Sequence, residues 1–94
     1  YNTAIFINGC FWHRHSGCKI AYMPKSRQDF WEKKFETNSK RDCAVRLNLY
    51  NEKIKCLVIW ECTVKSMKKD SKIEKEIINR TEDFLENNEL FREL

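Results

Sequence analysis

The sequence predicts an α/β domain, a small central sheet flanked by helices, and three observations carry that prediction. Two short runs, Ala4 to Ile7 and Ile54 to Trp60, are apolar and rich in β-branched residues, as strands buried on both faces are. A long stretch between them repeats apolar residues at spacings of three and four, and a second such stretch lies near the end of the chain. The order strand, loop, helix, strand, helix lays the two strands side by side and parallel, joined by a helical crossover.

The first strand ends at the turn residues Asn8-Gly9 and is expected to lie in the core. Gly9 to Lys19 mixes Cys, His and Gly without periodicity and reads as a loop, and Pro24 delays the helix that follows. Ser26-Arg27-Gln28-Asp29 has the pattern of a helix entry with a side-chain cap and an acid three residues on. A helix is predicted from about Gln28 to Tyr50, with Trp31, Phe35, Asn38, Asp42, Val45 and Leu49 on its inner stripe. A purely structural helix rarely places polar residues where Asn38 and Asp42 stand. The second strand stops at Glu61-Cys62, its end facing the loop. Asp70 or Ser71 caps a last helix whose apolar stripe is Ile73, Ile77, Ile78, Thr81, Phe84 and Leu85.

With 94 residues the chain is expected to form one domain, residues 1–94, whose small core would gain from a metal or a cross-link. Hydrophobic residues at 41% against 34% charged, with two glycines and one proline, exclude disordered and fibrous classes. No apolar run approaches the roughly 20 residues that span a bilayer, and the first residues lack the basic and apolar regions of a signal peptide. No membrane association is expected. The five cysteines are an odd number, and two stand near histidines at ligand spacing, so a reducing compartment is expected rather than a disulfide scaffold. The net charge of +4 is modest, but basic residues bunch in Lys25 to Arg41 and in Lys65 to Lys72, a distribution that favours a polyanionic partner over an evenly solvated surface.

Cys10-x4-His15-x2-Cys18 puts two thiols and an imidazole in one loop, the donors zinc takes in a closed tetrahedron. If the two strands are parallel neighbours, their carboxyl ends bring Cys62 beside that loop as the fourth ligand. Four protein ligands imply a structural metal, because catalytic zinc keeps a water position. His13 is an alternative to His15, and a set of unrelated reduced thiols is the alternative to the site. Cys43, in the helix, and Cys56, in a strand, read as small core or near-surface residues.

The string Phe6 to Cys18, FINGCFWHRHSGC, resembles the metal loop of the very short patch repair (Vsr) endonucleases, strand-specific T:G mismatch nickases. Met23-Pro24-Lys25-Ser26-Arg27, Phe30-Trp31 with Lys34, Asn38 and Arg41-Asp42, and Val58-Ile59-Trp60-Glu61-Cys62 follow in register with that family's later motifs. The resemblance covers roughly Ala4 to Cys62 and implies a restriction-endonuclease-like layered fold, a structural zinc on Cys10, His15, Cys18 and Cys62, and magnesium-dependent nicking of double-stranded DNA. It places His13 on the catalytic histidine, gives Ile7 a backbone carbonyl role toward magnesium, and makes Phe11, Trp12 and Trp31 the aromatic wedge at the mismatch. Lys25, Arg27 and Asn38 join the wedge as expected DNA-binding residues.

Two departures matter. Asn8 stands where the family has a second histidine, and asparagine exchanges no proton near neutral pH. The family's magnesium-binding aspartate lies on a strand upstream of the first one here, so the chain is expected to be incomplete at its amino end relative to the family. A catalytically inactive, zinc-stabilised DNA-binding module is therefore the alternative reading. A monomer in a bacterial-type cytoplasm, associated with the nucleoid and with mismatch-repair proteins as partners, completes the expectation.

Overall fold

The computed structural model describes residues 1–94, and its sheet is the element that positions everything else. Strand β1 (Thr3–Asn8) pairs in parallel with β2 (Lys55–Trp60), Asn8 opposite Trp60, and β2 pairs in parallel with β3 (Phe91–Glu93) on its other side. Helix α1 (Gln28–Asn51) makes the crossover from β1 to β2, and α2 (Glu61–Lys69) and α3 (Ser71–Glu86) make the one from β2 to β3. The architecture is α/β with three parallel strands and three helices.

Alternation along β2 splits the core in two, because successive side chains leave opposite faces of a sheet. Cys56, Val58 and Trp60 join Cys10 on one face, with Leu49 of α1 and the loop residues Cys18 and Ile20 packed around them. Leu57 meets Ile77, Phe84 and Leu94 on the other, with Ile59, Met67 and Ile73 around them. Lys55 opens β2 on this second side and is buried without an acid. Its ammonium donates to the carbonyls of Asn87 and Glu89 at 2.7 Å each and sits 4.3 Å from the Phe84 ring centroid. Carbonyls just past the end of a helix suit a cation, which is how the charge is tolerated there.

The α1 stripe has the expected register. Phe35 is buried, and Trp31, Asn38, Asp42 and Leu49 are the half-buried residues of the helix, while Val45 is 39% exposed. On α3 the same holds for Ile73, Ile77, Thr81, Phe84 and Leu85, with Ile78 left in solvent. Asp70 caps α3, its carboxylate accepting the Lys72 N–H at 2.9 Å. Asp70→Ala should cost about 1 kcal/mol, read as a lowered urea midpoint at unchanged slope.

Four expectations need correction. The first strand is not buried on both faces: Ile5 and Ile7 are 50% and 62% exposed, because β1 forms the outer strand of the sheet, while the buried residues of α3 pack on Leu57 of β2 and on Leu94. A continuous apolar run does not distinguish an edge strand from a central one. The start of α1 carries no side-chain cap. Arg27 occupies the cap position in the left-handed region at φ 55°, and its guanidinium lies over the Phe30 ring, 4.6 Å from the centroid. The chain after Trp60 is helical at once, so Cys62 sits in the first turn of α2 rather than in a strand tail. The sheet has a third strand, β3, too short and too charged to carry a periodic signal.

Candidate metal centre and His13 cleft

The loop after β1 coils back on itself. The His13 N–H donates to the Gly9 carbonyl at 3.1 Å and the His15 N–H to the Cys10 carbonyl at 3.0 Å. Arg14, between the two histidines, takes the left-handed conformation at φ 53°. Its guanidinium donates to the carbonyls of Phe11, Ala21 and Tyr22 and lies 3.9 Å from the Phe35 ring centroid, tying the loop to α1. The histidines on either side of this staple face different partners.

His15 faces the thiols. Its Nδ1 lies 3.6 Å from Cys10 Sγ and 3.5 Å from Cys62 Sγ, and its ring stacks on Trp60 with centroids 4.2 Å apart. Cys18 completes the group, and the ligand atoms of Cys10, His15, Cys18 and Cys62 all lie within 4.8 Å of one another. Around a zinc ion at ordinary bond lengths, neighbouring ligand atoms stand about 3.5–3.8 Å apart, so a small inward movement closes the set. The cluster can hold a metal ion.

Around the cluster burial opposes thiolates and backbone amides favour them. Burial pushes the Cys10 thiol up to about 11, so without a metal it keeps its proton at neutral pH. The Ile20 backbone N–H draws the Cys18 thiol down, as amide donors to a ligand sulfur do. The Cys62 N–H points at Cys10 Sγ, 3.4 Å away. Glu61 holds the frame: one oxygen accepts the Cys10 N–H at 3.2 Å, and the other pairs with Lys65 at 3.3 Å. Those donors lower its carboxyl below the ordinary 4.5, so its anchoring is fully present above that pH and fades as pH falls through the lowered value.

His13 faces α1 instead. Its Nδ1 lies 2.6 Å from Asp42 Oδ2, and both side chains keep partial access to solvent, at 30% and 39%. An Nδ1–H donated to the carboxylate leaves the lone pair on Nε2, the arrangement a general base needs. The pair opens on a cleft of about 500 Å³ over the sheet face, also lined by Asn8, Trp60, Arg41 and Glu93. Asp42 stood out in the sequence as one of two polar residues on the inner stripe, with Asn38, but it was given no role there, and its pairing with His13 is what the structure adds.

The aromatic residues gather beside this cleft. Phe11 is the hub, with ring centroids 5.1–5.4 Å from those of Trp12, Tyr22, Trp31 and Phe35. Trp31 packs between Phe30 and Trp12 and is half-buried, whereas Trp12 and Phe30 are 47% and 46% exposed. The exposed members make a contiguous apolar edge of the kind that marks an interaction surface. Asn38 donates its amide to the Trp12 carbonyl at 3.2 Å and so fixes the loop that carries the edge. Lys25 and Arg27 are exposed just ahead of α1. Ile7, on the outer strand, stands apart from the one group of gathered ligand side chains, which is Cys10, His15, Cys18 and Cys62.

No family model matches the chain. Among curated proteins, the type II nicking enzyme V.NmeAIP of Neisseria meningitidis is 42% identical over 66 residues, 70% of this chain and 46% of that protein. The type II nicking enzyme V.XorIIP of Xanthomonas oryzae pv. oryzae is 41% identical over 63 residues, 67% of this chain and 46% of that protein. The DNA mismatch endonuclease Vsr of Escherichia coli is 35% identical over 69 residues, 73% of this chain and 44% of that protein. The chain thus spans about half the length of the curated relatives it matches.

Proposed function

The chain belongs to the Vsr-like family of nicking enzymes over the segment it shares with them, and from that premise we propose that it is the DNA-engaging part of a strand-specific endonuclease. The observation that carries the reading is the division of labour in one loop: His15 turned to three thiols, His13 turned to Asp42. A folding constraint and a proton acceptor thereby share a few residues, and the first fixes the second.

In this reading Cys10, His15, Cys18 and Cys62 hold zinc, which supplies a structural cross-link between the loop and α2. His13 Nε2 accepts a proton from the attacking water while Asp42 holds the ring and stabilises the imidazolium that forms. Asn8 contributes a hydrogen bond in the cleft and no proton transfer. Trp12 and Phe11, backed by Trp31, wedge into the duplex, where a weakly paired T:G step unstacks at lower cost than a matched one. Lys25 and Arg27 neutralise backbone phosphates. Magnesium is the cation that the family resemblance brings, and the resemblance gives it the Ile7 carbonyl as a ligand. The restriction-endonuclease-like layering, a single domain over residues 1–94, a monomeric state and a bacterial cytoplasmic setting beside mismatch-repair proteins belong to the same reading. No helix is long and apolar enough to cross a membrane.

A second reading is a DNA-binding module without cleavage, and it is favoured by Asn8, which stands where the family resemblance expects a proton-exchanging histidine. A nicking assay on supercoiled and T:G-containing duplex, with the zinc-loaded chain and magnesium, separates the two. Nicked product supports the endonuclease, and intact DNA with saturable binding supports the module. Zinc uptake is also expected to release protons at neutral pH, at least the one that the buried Cys10 thiol, pushed up to about 11, gives up to the metal. Calorimetric titrations in buffers of different ionisation enthalpy measure that number, and a value near zero contradicts a thiolate site.

A further inference from the structure

We propose that Lys68, Lys69 and Lys72, at the corner between α2 and α3, form a second contact for the phosphate backbone of the same duplex. The proposal rests on the DNA reading above and adds a surface that neither the loop nor the aromatic edge supplies.

The exposed residues of α2 are Lys65, Lys68 and Lys69 and no others, so the solvent face of that helix is wholly cationic. Lys65 is neutralised by Glu61, whereas Lys68, Lys69 and Lys72 form no ion pair. The exposed Asp70 carboxylate accepts the Lys72 N–H as the cap of α3 and pairs with none of the three lysines, so its single negative charge leaves the corner net positive. A solvated face in a stable helix usually mixes signs. Lys68 and Lys69 do suit the C-terminal end of α2, where the helix dipole favours cations. Lys72 is different, because it lies in the first turn of α3, where that dipole disfavours a positive charge. Helix stability alone would select an acid there.

The position of the corner strengthens the case. Helix α2 starts directly after β2, and Cys62 in its first turn belongs to the metal cluster. Nine residues of helix advance about 13 Å, so Lys68 and Lys69 stay within that axial distance of Cys62, the residue of α2 that belongs to the metal cluster. One DNA strand presents a phosphate charge about every 3.4 Å of axis, so a cationic strip on the order of 10 Å faces roughly three of them. Charge complementarity selects the duplex held by the loop as the occupant.

The test is fluorescence anisotropy of a labelled duplex with the zinc-loaded full chain between 50 and 200 mM salt. Lys68→Gln, Lys69→Gln and Lys72→Gln are compared, singly and together, with Lys53→Asn. Lys53 is an exposed lysine at the opposite end of β2 whose left-handed backbone at φ 58° asparagine accepts. Each corner substitution should reduce the slope of log affinity against log salt by about 0.9 and the triple by about 2.7, so that the affinity lost over that salt range shrinks roughly 40-fold. Lys53→Asn should leave the slope unchanged, and bound zinc reports that every variant is folded. A triple variant with the parent slope, or Lys53→Asn matching Lys68→Gln, overturns the corner while leaving the DNA reading intact. A parent chain with no salt-dependent affinity overturns both.

Discussion

Cys62→Ala is expected to release the metal and unfold the chain at ambient temperature. Cys62 alone among the four residues comes from α2, so its thiol ties the loop to the second crossover. Only ten residues of 94 are buried, and Cys10 of the metal cluster is one of them. Structural zinc contributes about 10–16 kcal/mol of apparent binding free energy in small metal-dependent domains, which exceeds the whole stability of an ordinary domain. Chelation of the parent chain should have the same consequence. Near-ultraviolet circular dichroism should lose the signal of Trp60 stacked on His15, and a thermal scan should lose its cooperative transition. Cys43→Ala serves as the control, since that thiol is exposed on α1 outside the cluster, and it should change stability by less than about 0.5 kcal/mol.

On the proposed endonuclease reading, His13→Ala should lower the rate of strand nicking by about 10²- to 10⁴-fold, the usual contribution of a positioned general base. Duplex affinity should change little, because the aromatic edge and the lysines are untouched. Asp42→Asn separates positioning from proton transfer. An amide at that position accepts from Nδ1 only weakly and does not stabilise the imidazolium, so the rate should fall by less than with His13→Ala. Single-turnover nicking compares the two variants with the parent. A His13→Ala rate equal to that of the parent removes the histidine from the chemistry.

Much of this arrangement was legible in the residues, and the parts that were not share physical causes. The α1 stripe could be read because Trp31, Phe35, Asn38, Asp42 and Leu49 recur at helical spacing, and the structure leaves those residues the least exposed of the helix. Asp70 could be read as a cap because a carboxylate satisfies a free N–H only at such a boundary. The pairing of Asp42 with His13 could not, since the residues stand 29 positions apart and their meeting depends on how the loop coils around Arg14. Helix α2 escaped notice because it follows β2 with no turn residue between, and its lysines read as a charge run. Strand β3 consists of Phe91, Arg92 and Glu93, too few residues for an alternation to register. The exposure of Ile5 and Ile7 depends on where α3 packs, which is on Leu57 and Leu94, and apolar content does not encode that.

X-ray absorption at the zinc edge, on protein purified without chelators, tests the central claim most directly. One zinc per chain, with three sulfur neighbours at about 2.3 Å and one nitrogen at about 2.0 Å, is the result expected of Cys10, Cys18, Cys62 and His15. A chain that holds no ion, or an ion surrounded by oxygen, would leave His13 and the aromatic edge without the support that aims them at DNA, and would contradict the account.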